Sequence, residues 1–194
     1  MTLVGFKRAT IRVFGGTPDT PTLGTNVFKV EGKQGEGATQ TANITGLSSD
    51  PLKTFGSDLA YYVSNKGVGD IKVDITLLDL LEKAVNTILG YKEKNGLVYI
   101  GDDTEPPYCS LLLESETLAG EKAYIGFFKG QFSAADIDMK TKKGSQEEPD
   151  GDKFKFSSIA SDADETKGSY VVKYIGKDDE KIKAMKKQLG IESV

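Results

Sequence analysis

The chain has 194 residues, a net charge of −4 and 38% hydrophobic residues, which suits one domain with a filled core and weighs against a surface that grips nucleic acid. It contains no His, so the usual general base, the commonest metal ligand and every Ser–His or Cys–His nucleophile pair are missing. The single Cys109 excludes an internal disulfide, no apolar run approaches the roughly 20 residues of a membrane span, and the first residues lack the apolar stretch of a signal peptide. Nine Phe, eight Tyr and 22 Gly without Trp favour a turn-rich β protein.

In chain order, Gly5 to Phe14 alternates, with Ala9, Ile11 and Val13 on one side and Arg8, Thr10 and Arg12 on the other, as in a strand with one wet face. Residues 15–25 hold two Pro and read as a loop. Asn26 to Glu31 reads as a short strand turned by Gly32 to Gly37, which lacks the order of a phosphate-binding Gly loop. Ala38 to Leu47 is a Thr-rich strand expected to face water on one side. Ser48 to Lys66 carries Leu52, Phe55, Leu59, Tyr61, Tyr62 and Val63, yet its punctuation is that of a long loop. Apolar residues on such a segment serve either to bind something or to cover the chain's own core. Asp70 to Leu77 is a clean alternating strand. A helix is predicted over 79–89, capped by Asp79 with Glu82 at capping-box spacing and stopped by Gly90. Lys94-Asn95-Gly96 predicts a tight hairpin turn.

The most apolar stretch is Gly101 to Phe132. Glu105-Pro106-Pro107 enforces an extended approach, Tyr108 to Ser115 is nearly continuous apolar or small, and Ala123 to Phe132 follows a turn around Gly120. Gly126 and Gly130, read as lying on one face, mark a bulge or a close backbone approach. A hairpin this apolar needs cover on both faces, from this chain or from neighbouring copies. Beyond it, 134–143 should continue extended, and 144–152 should form a mobile acidic loop. Strands are expected over 153–160 and 169–175. A C-terminal helix is expected over 178–189, within an arm at 177–194, with Asp178, Asp179 and Glu180 opening it and lysines closing it.

Few residues offer chemistry. Asp102, Asp103 and Glu105 are the only candidates for a carboxylate-based hydrolase, and a solvated acidic turn explains them as well. Asp162-Ala163-Asp164 opens like a calcium loop but lacks the Gly and the closing Glu that such a loop requires. Asn43-Ile44-Thr45 is a glycosylation sequon without an export route. Cys109 sits in an apolar strand as a small core residue. No catalytic residue, cofactor or metal is expected.

With those residues laid out, the chain resembles the major tail proteins, or tail tube proteins, of long-tailed non-contractile bacteriophages of Gram-positive hosts. The resembling segments are Val4 to Ala9, Glu31 to Gln34 with Glu36 to Thr39, Ala42 to Leu47, Ala60 to Ser64, Gly69 to Asp74, Asp103 to Tyr108 and Gly126 to Gly130. Their order and spacing carry the likeness, not a chemical signature.

The resemblance implies a mainly β, sandwich- or barrel-like single domain with a flanking helix. Six copies would close into a ring, and rings would stack into a hollow tube that delivers DNA without binding it specifically. Partners would then be other copies of the chain and tail proteins such as the tape measure, the tail terminator and the baseplate, with no membrane involved. The protein would reside in the virion and assemble in the host bacterial cytoplasm. On this reading Leu52, Phe55, Leu59, Tyr61 and Tyr62 are expected to make contacts between stacked rings. Tyr124, Phe127, Phe128 and Phe132 are expected to make subunit–subunit sheet contacts. A different class, a β-sandwich carbohydrate-binding or adhesin module, would use Tyr61 and Tyr62 to stack on sugars.

Overall fold

A computed structural model describes residues 2–16, 19–134, 139, 141 and 150–192. Among the described residues twelve strands and two helices form in the order β1 (Leu3–Val13), β2 (Val27–Val30), β3 (Ala38–Thr45), β4 (Leu52–Gly56), β5 (Leu59–Ser64), β6 (Lys72–Leu78), α1 (Glu82–Leu89), β7 (Lys92–Lys94), β8 (Leu97–Tyr99), β9 (Tyr108–Thr117), β10 (Lys122–Ala134), β11 (Asp152–Ile159), β12 (Val171–Ile175) and α2 (Asp179–Gln188). One antiparallel sheet runs β2-β1-β9-β10-β11-β6-β3, with β12 also on β10. β4–β5 and β7–β8 are separate two-stranded ribbons. The main sheet curls until its last strand reaches its second: the Thr39 hydroxyl donates to the Phe6 carbonyl, joining β3 to β1 through a side chain. This is the mainly β, barrel-like architecture expected.

β9 and β10 are central to two cores. On the inner face, Leu111, Leu113, Phe127 and Phe132 join Ala9, Ile11, Val73, Ile75, Phe154, Phe156 and the buried side of α1. Phe156 takes an edge contact from Phe127 at 5.9 Å and a tilted one from Phe132 at 4.9 Å between ring centres, separations at which aromatic pairs attract beyond simple burial. On the outer face, Leu112, Tyr124 and Phe128 pack under Ile182, Met185 and Leu189 of α2.

The cover for the aromatic hairpin therefore comes from this chain. Tyr124, Phe127, Phe128 and Phe132, expected at subunit–subunit sheet contacts, are all buried within the subunit itself. Sequence alternation showed both faces to be apolar but could not show that a helix some 50 residues later closes over one of them.

A register shift between Phe127 and Gly130 places an irregularity in β10. Gly126 accordingly faces α2, where an added Cβ would lie 2.6 Å from Leu189 Cδ1, while Gly130 faces Phe156 and the Ser157 carbonyl. Both close approaches exist, but on opposite faces rather than one, because a bulge reverses the alternation.

The outward side of β1 is also not wet at its C-terminal end. Arg12 is buried: its Nε donates to the Gly190 carbonyl at 3.0 Å, and one terminal nitrogen reaches both the Asp19 carboxylate at 2.6 Å and the Asp19 carbonyl at 2.9 Å. Ser110 donates to the Leu189 carbonyl at 2.6 Å. Both side chains satisfy carbonyls that the end of α2 leaves unpaired. At the other end, Asp178, expected inside the first turn, instead precedes the helix and caps it by accepting from the Glu180 amide at 3.0 Å.

α1 departs from prediction at its start. It begins at Glu82 after Leu81, with no side-chain cap, and Asp79 lies in a left-handed turn (φ 51°). Asp79 ends the strand instead of opening the helix. Gly90 closes α1 at φ 70°, as read from the sequence. The Lys94-Asn95-Gly96 turn joins β7 to β8 with Asn95 and Gly96 at φ 55° and 74°, the backbone of a tight hairpin. The acidic loop at 144–149 and most of the expected extension over 134–143 lie outside the described residues.

Candidate functional site

Ser48 to Lys66 is not an irregular loop. Leu52-Lys53-Thr54-Phe55 and Leu59 to Val63 pair as an antiparallel ribbon, β4–β5, turned at Ser57 and Asp58, whose φ values are 52° and 63°. Asp tolerates this left-handed backbone better than most residues because its short side chain can bond locally. Tyr61 has no partner in the ladder, since Thr54 pairs with Tyr62 and Phe55 with Ala60.

The ribbon stands on a fixed neck. Gly69 donates its amide to the Gly46 carbonyl at 2.9 Å, and the Ser49 hydroxyl donates to the Lys66 carbonyl at 3.1 Å. Gly46 has φ 76°, and an added Cβ there would sit 2.0 Å from the Asp70 carbonyl oxygen. Only glycine meets both conditions, so the two strands leaving the sheet are held backbone against backbone.

Above this neck none of the described residues covers the apolar side chains. Leu52, Phe55, Leu59, Tyr61 and Tyr62 are 56–86% exposed, and Val63 is 52% exposed. The structure thus gathers the five residues expected to act between rings onto one element. A soluble monomer seldom exposes so many large apolar side chains together unless they meet a partner.

A second apolar surface was not foreseen. Leu23, Val27, Phe28 and Val30 from the β2 region face Leu80, Leu81 and Ala84 across a groove of about 450 Å³, rimmed by Lys29, Glu31, Lys33 and Glu36. Leu23 and Leu81 are open to solvent, whereas Leu80 and Ala84 form the floor. β2 is the edge of the sheet, and at Val27 the preceding loop covers its outer backbone: the Val27 amide donates to the Thr22 carbonyl at 3.1 Å and the Gly24 amide to the Val27 carbonyl at 2.8 Å. No local pattern signals this site, because its two sides are some 50 residues apart. The charges on its rim largely satisfy one another: Lys29 lies 2.8 Å from Glu31, and Lys33 is paired with Glu36. Glu31 is held below the usual carboxylate range by its hydrogen bond from Lys29, with Arg8 adding to it.

The acidic candidates Asp102, Asp103 and Glu105 lie on and beside a short turn before β9. Gly101 and Thr104 close a turn through two hydrogen bonds of 2.9 Å, and within it Asp103 is bound to Lys92, which lowers its carboxyl below the ordinary range. Among the described residues no cluster of His, Cys, Asp and Glu is arranged to hold a metal. Burial pushes the Cys109 thiol up to about 12, so it stays protonated at neutral pH and is a poor nucleophile.

No curated protein matches the sequence. The profile of the phage tail tube protein family matches residues 16–188, which hold every strand of the main sheet except β1, the β4–β5 ribbon, α1 and α2. The chain belongs to the phage tail tube protein family.

Proposed function

We propose that the protein closes into six-membered rings that stack, through the β4–β5 ribbon, into the hollow tube of a long non-contractile tail on a phage of a Gram-positive host, and that DNA passes through this tube. The observation that carries the proposal is the ribbon itself: six large apolar side chains held in solvent on a neck built to fix its position. Each such side chain left in water forgoes ~1.5–3 kcal/mol of burial, so contact with an adjacent ring would recover a substantial stabilisation. The exposed positions of β3 are Gln40, Thr41, Asn43 and Thr45, all uncharged. A wall of this kind, in a protein of net charge −4, would let DNA slide without the phosphate neutralisation that makes binding tight. Tape measure, tail terminator and baseplate proteins are the further partners proposed, with assembly in the host cytoplasm.

The test is the double substitution Leu52→Ser with Phe55→Ser. The expected result is an unchanged thermal transition together with loss of tubes under negative-stain microscopy. An unfolded double mutant would place the ribbon in the subunit's own core, and a folded one that still builds full-length tubes would remove its stacking role.

A further inference from the structure

The two cores of the subunit share no residue. The inner one, inside the barrel, takes nothing from α2 or from the loop that runs from Asp19 to Thr25. The outer one is made by Ile182, Met185 and Leu189 of the α2 segment on Leu112, Tyr124 and Phe128. α2 has ten residues, fewer than the roughly 12–15 that an isolated helix needs to persist in water, so it is helical because it is docked.

Beneath the C-terminal end of α2 lies a buried charge. Among the described residues Arg12 donates four hydrogen bonds to three segments. Its Nε reaches the Gly190 carbonyl just past α2, Nη1 reaches the Val13 carbonyl of its own strand, and Nη2 reaches the carbonyl and the carboxylate of Asp19. Asp19 is placed in turn by the buried Asn26, whose side chain donates to the Thr20 carbonyl at 2.9 Å and accepts from the Thr22 amide at 2.7 Å. Among the described residues the Asp19 carboxylate bonds to Arg12 and to no atom of α2. The loop therefore orients a guanidinium that the helix end uses. Without its carboxylate that buried cation is left uncompensated, and the cost falls on the closed state, because water solvates the guanidinium once α2 has left.

We propose that Arg12 latches a lid: α2 and the loop from Asp19 to Thr25 close over the outer face of β9–β10 as one unit and open together, while the barrel beneath stays folded. Opening bares Leu112, Tyr124 and Phe128, so the latch decides whether that apolar face is presented. β12 ends at Ile175 and α2 begins at Asp179, so a link of residues 176–178 keeps the opened lid on the barrel. Asp19 is a positioning residue, acting on the helix through Arg12.

The test is hydrogen exchange read by mass spectrometry on the full chain, comparing wild type with Asp19→Asn, which keeps the size of the side chain and removes its charge. The expected result is exchange faster by roughly tenfold or more over residues 179–189, as for one weakened hydrogen bond to a charged group, with wild-type rates kept over residues 109–116 of β9. Leu189→Ala supplies the reverse arm. It loosens α2 directly and should accelerate residues 20–26 along with it, because coupling between two sites is reciprocal. Met185→Ala replaces it should it fail to fold. Unchanged protection of α2 in Asp19→Asn, or a loop that ignores Leu189→Ala, overturns the proposal, since helix and loop are then independent. Residues 109–116 accelerating as much as α2, or an Asp19→Asn chain that does not fold, overturns it as well, since the lid then opens only with the whole subunit.

Discussion

The β9–β10 hairpin and the β4–β5 ribbon are both apolar antiparallel pairs with aromatic side chains, yet one lies at the centre of the subunit and the other stands outside it. The first has Phe127, Phe132 and Leu111 essentially inaccessible, beneath the barrel wall on one face and α2 on the other. The second has none of the described residues packed over it and keeps Phe55 and Tyr61 exposed. Hydrophobicity alone does not distinguish an element that holds a fold together from one left exposed on its surface. The distinction comes from what the remaining chain brings over each face.

The contrast is sharpened most by truncating one ring in each region. Phe127→Ala should destabilise the subunit by about 3–5 kcal/mol, from lost burial plus the cavity left against Phe156, with a correspondingly lowered midpoint in denaturant titration. Gly126→Val should come next, at roughly 1–3 kcal/mol, because the new side chain displaces Leu189 and Met185 and forces α2 off the sheet. Loss of near-ultraviolet dichroism from Tyr124 and Tyr174, stacked beneath α2 at 6.4 Å, would report that displacement, whereas unchanged spectra and stability would show that α2 adapts without cost. Phe55→Ala should have the smallest effect on the isolated subunit, within about 0.5 kcal/mol, as for other exposed positions. A large loss of stability at Phe55 would erase the contrast between the two regions.

Much of the barrel was legible in advance. Asp70 to Leu77, Ala123 to Phe132 and Lys153 to Ala160 form strands where alternation and apolar runs placed them. The turn at Asn95-Gly96 and the stop at Gly90 follow from backbone preferences that need no tertiary context. At Ser48 to Lys66 the apolar residues that stand exposed were singled out from their chemistry, but the strand pairing was not. Asp50-Pro51 and Gly56-Ser57-Asp58 read as loop punctuation when in fact the second marks a hairpin turn.

The sequence by itself determined the β-rich class, the two helices and the apolar character of both hairpins, because each depends on local conformational preference and side-chain type. Only the tertiary structure decided which hairpin is covered. It also decided that Gly126 and Gly130 face opposite ways across a bulge, that Arg12 is buried against the end of α2, and that β2 and α1 enclose a groove. The physical reason is common to all four: each is set by contacts between segments far apart in sequence, and periodicity records a segment's need for cover without recording which segment supplies it.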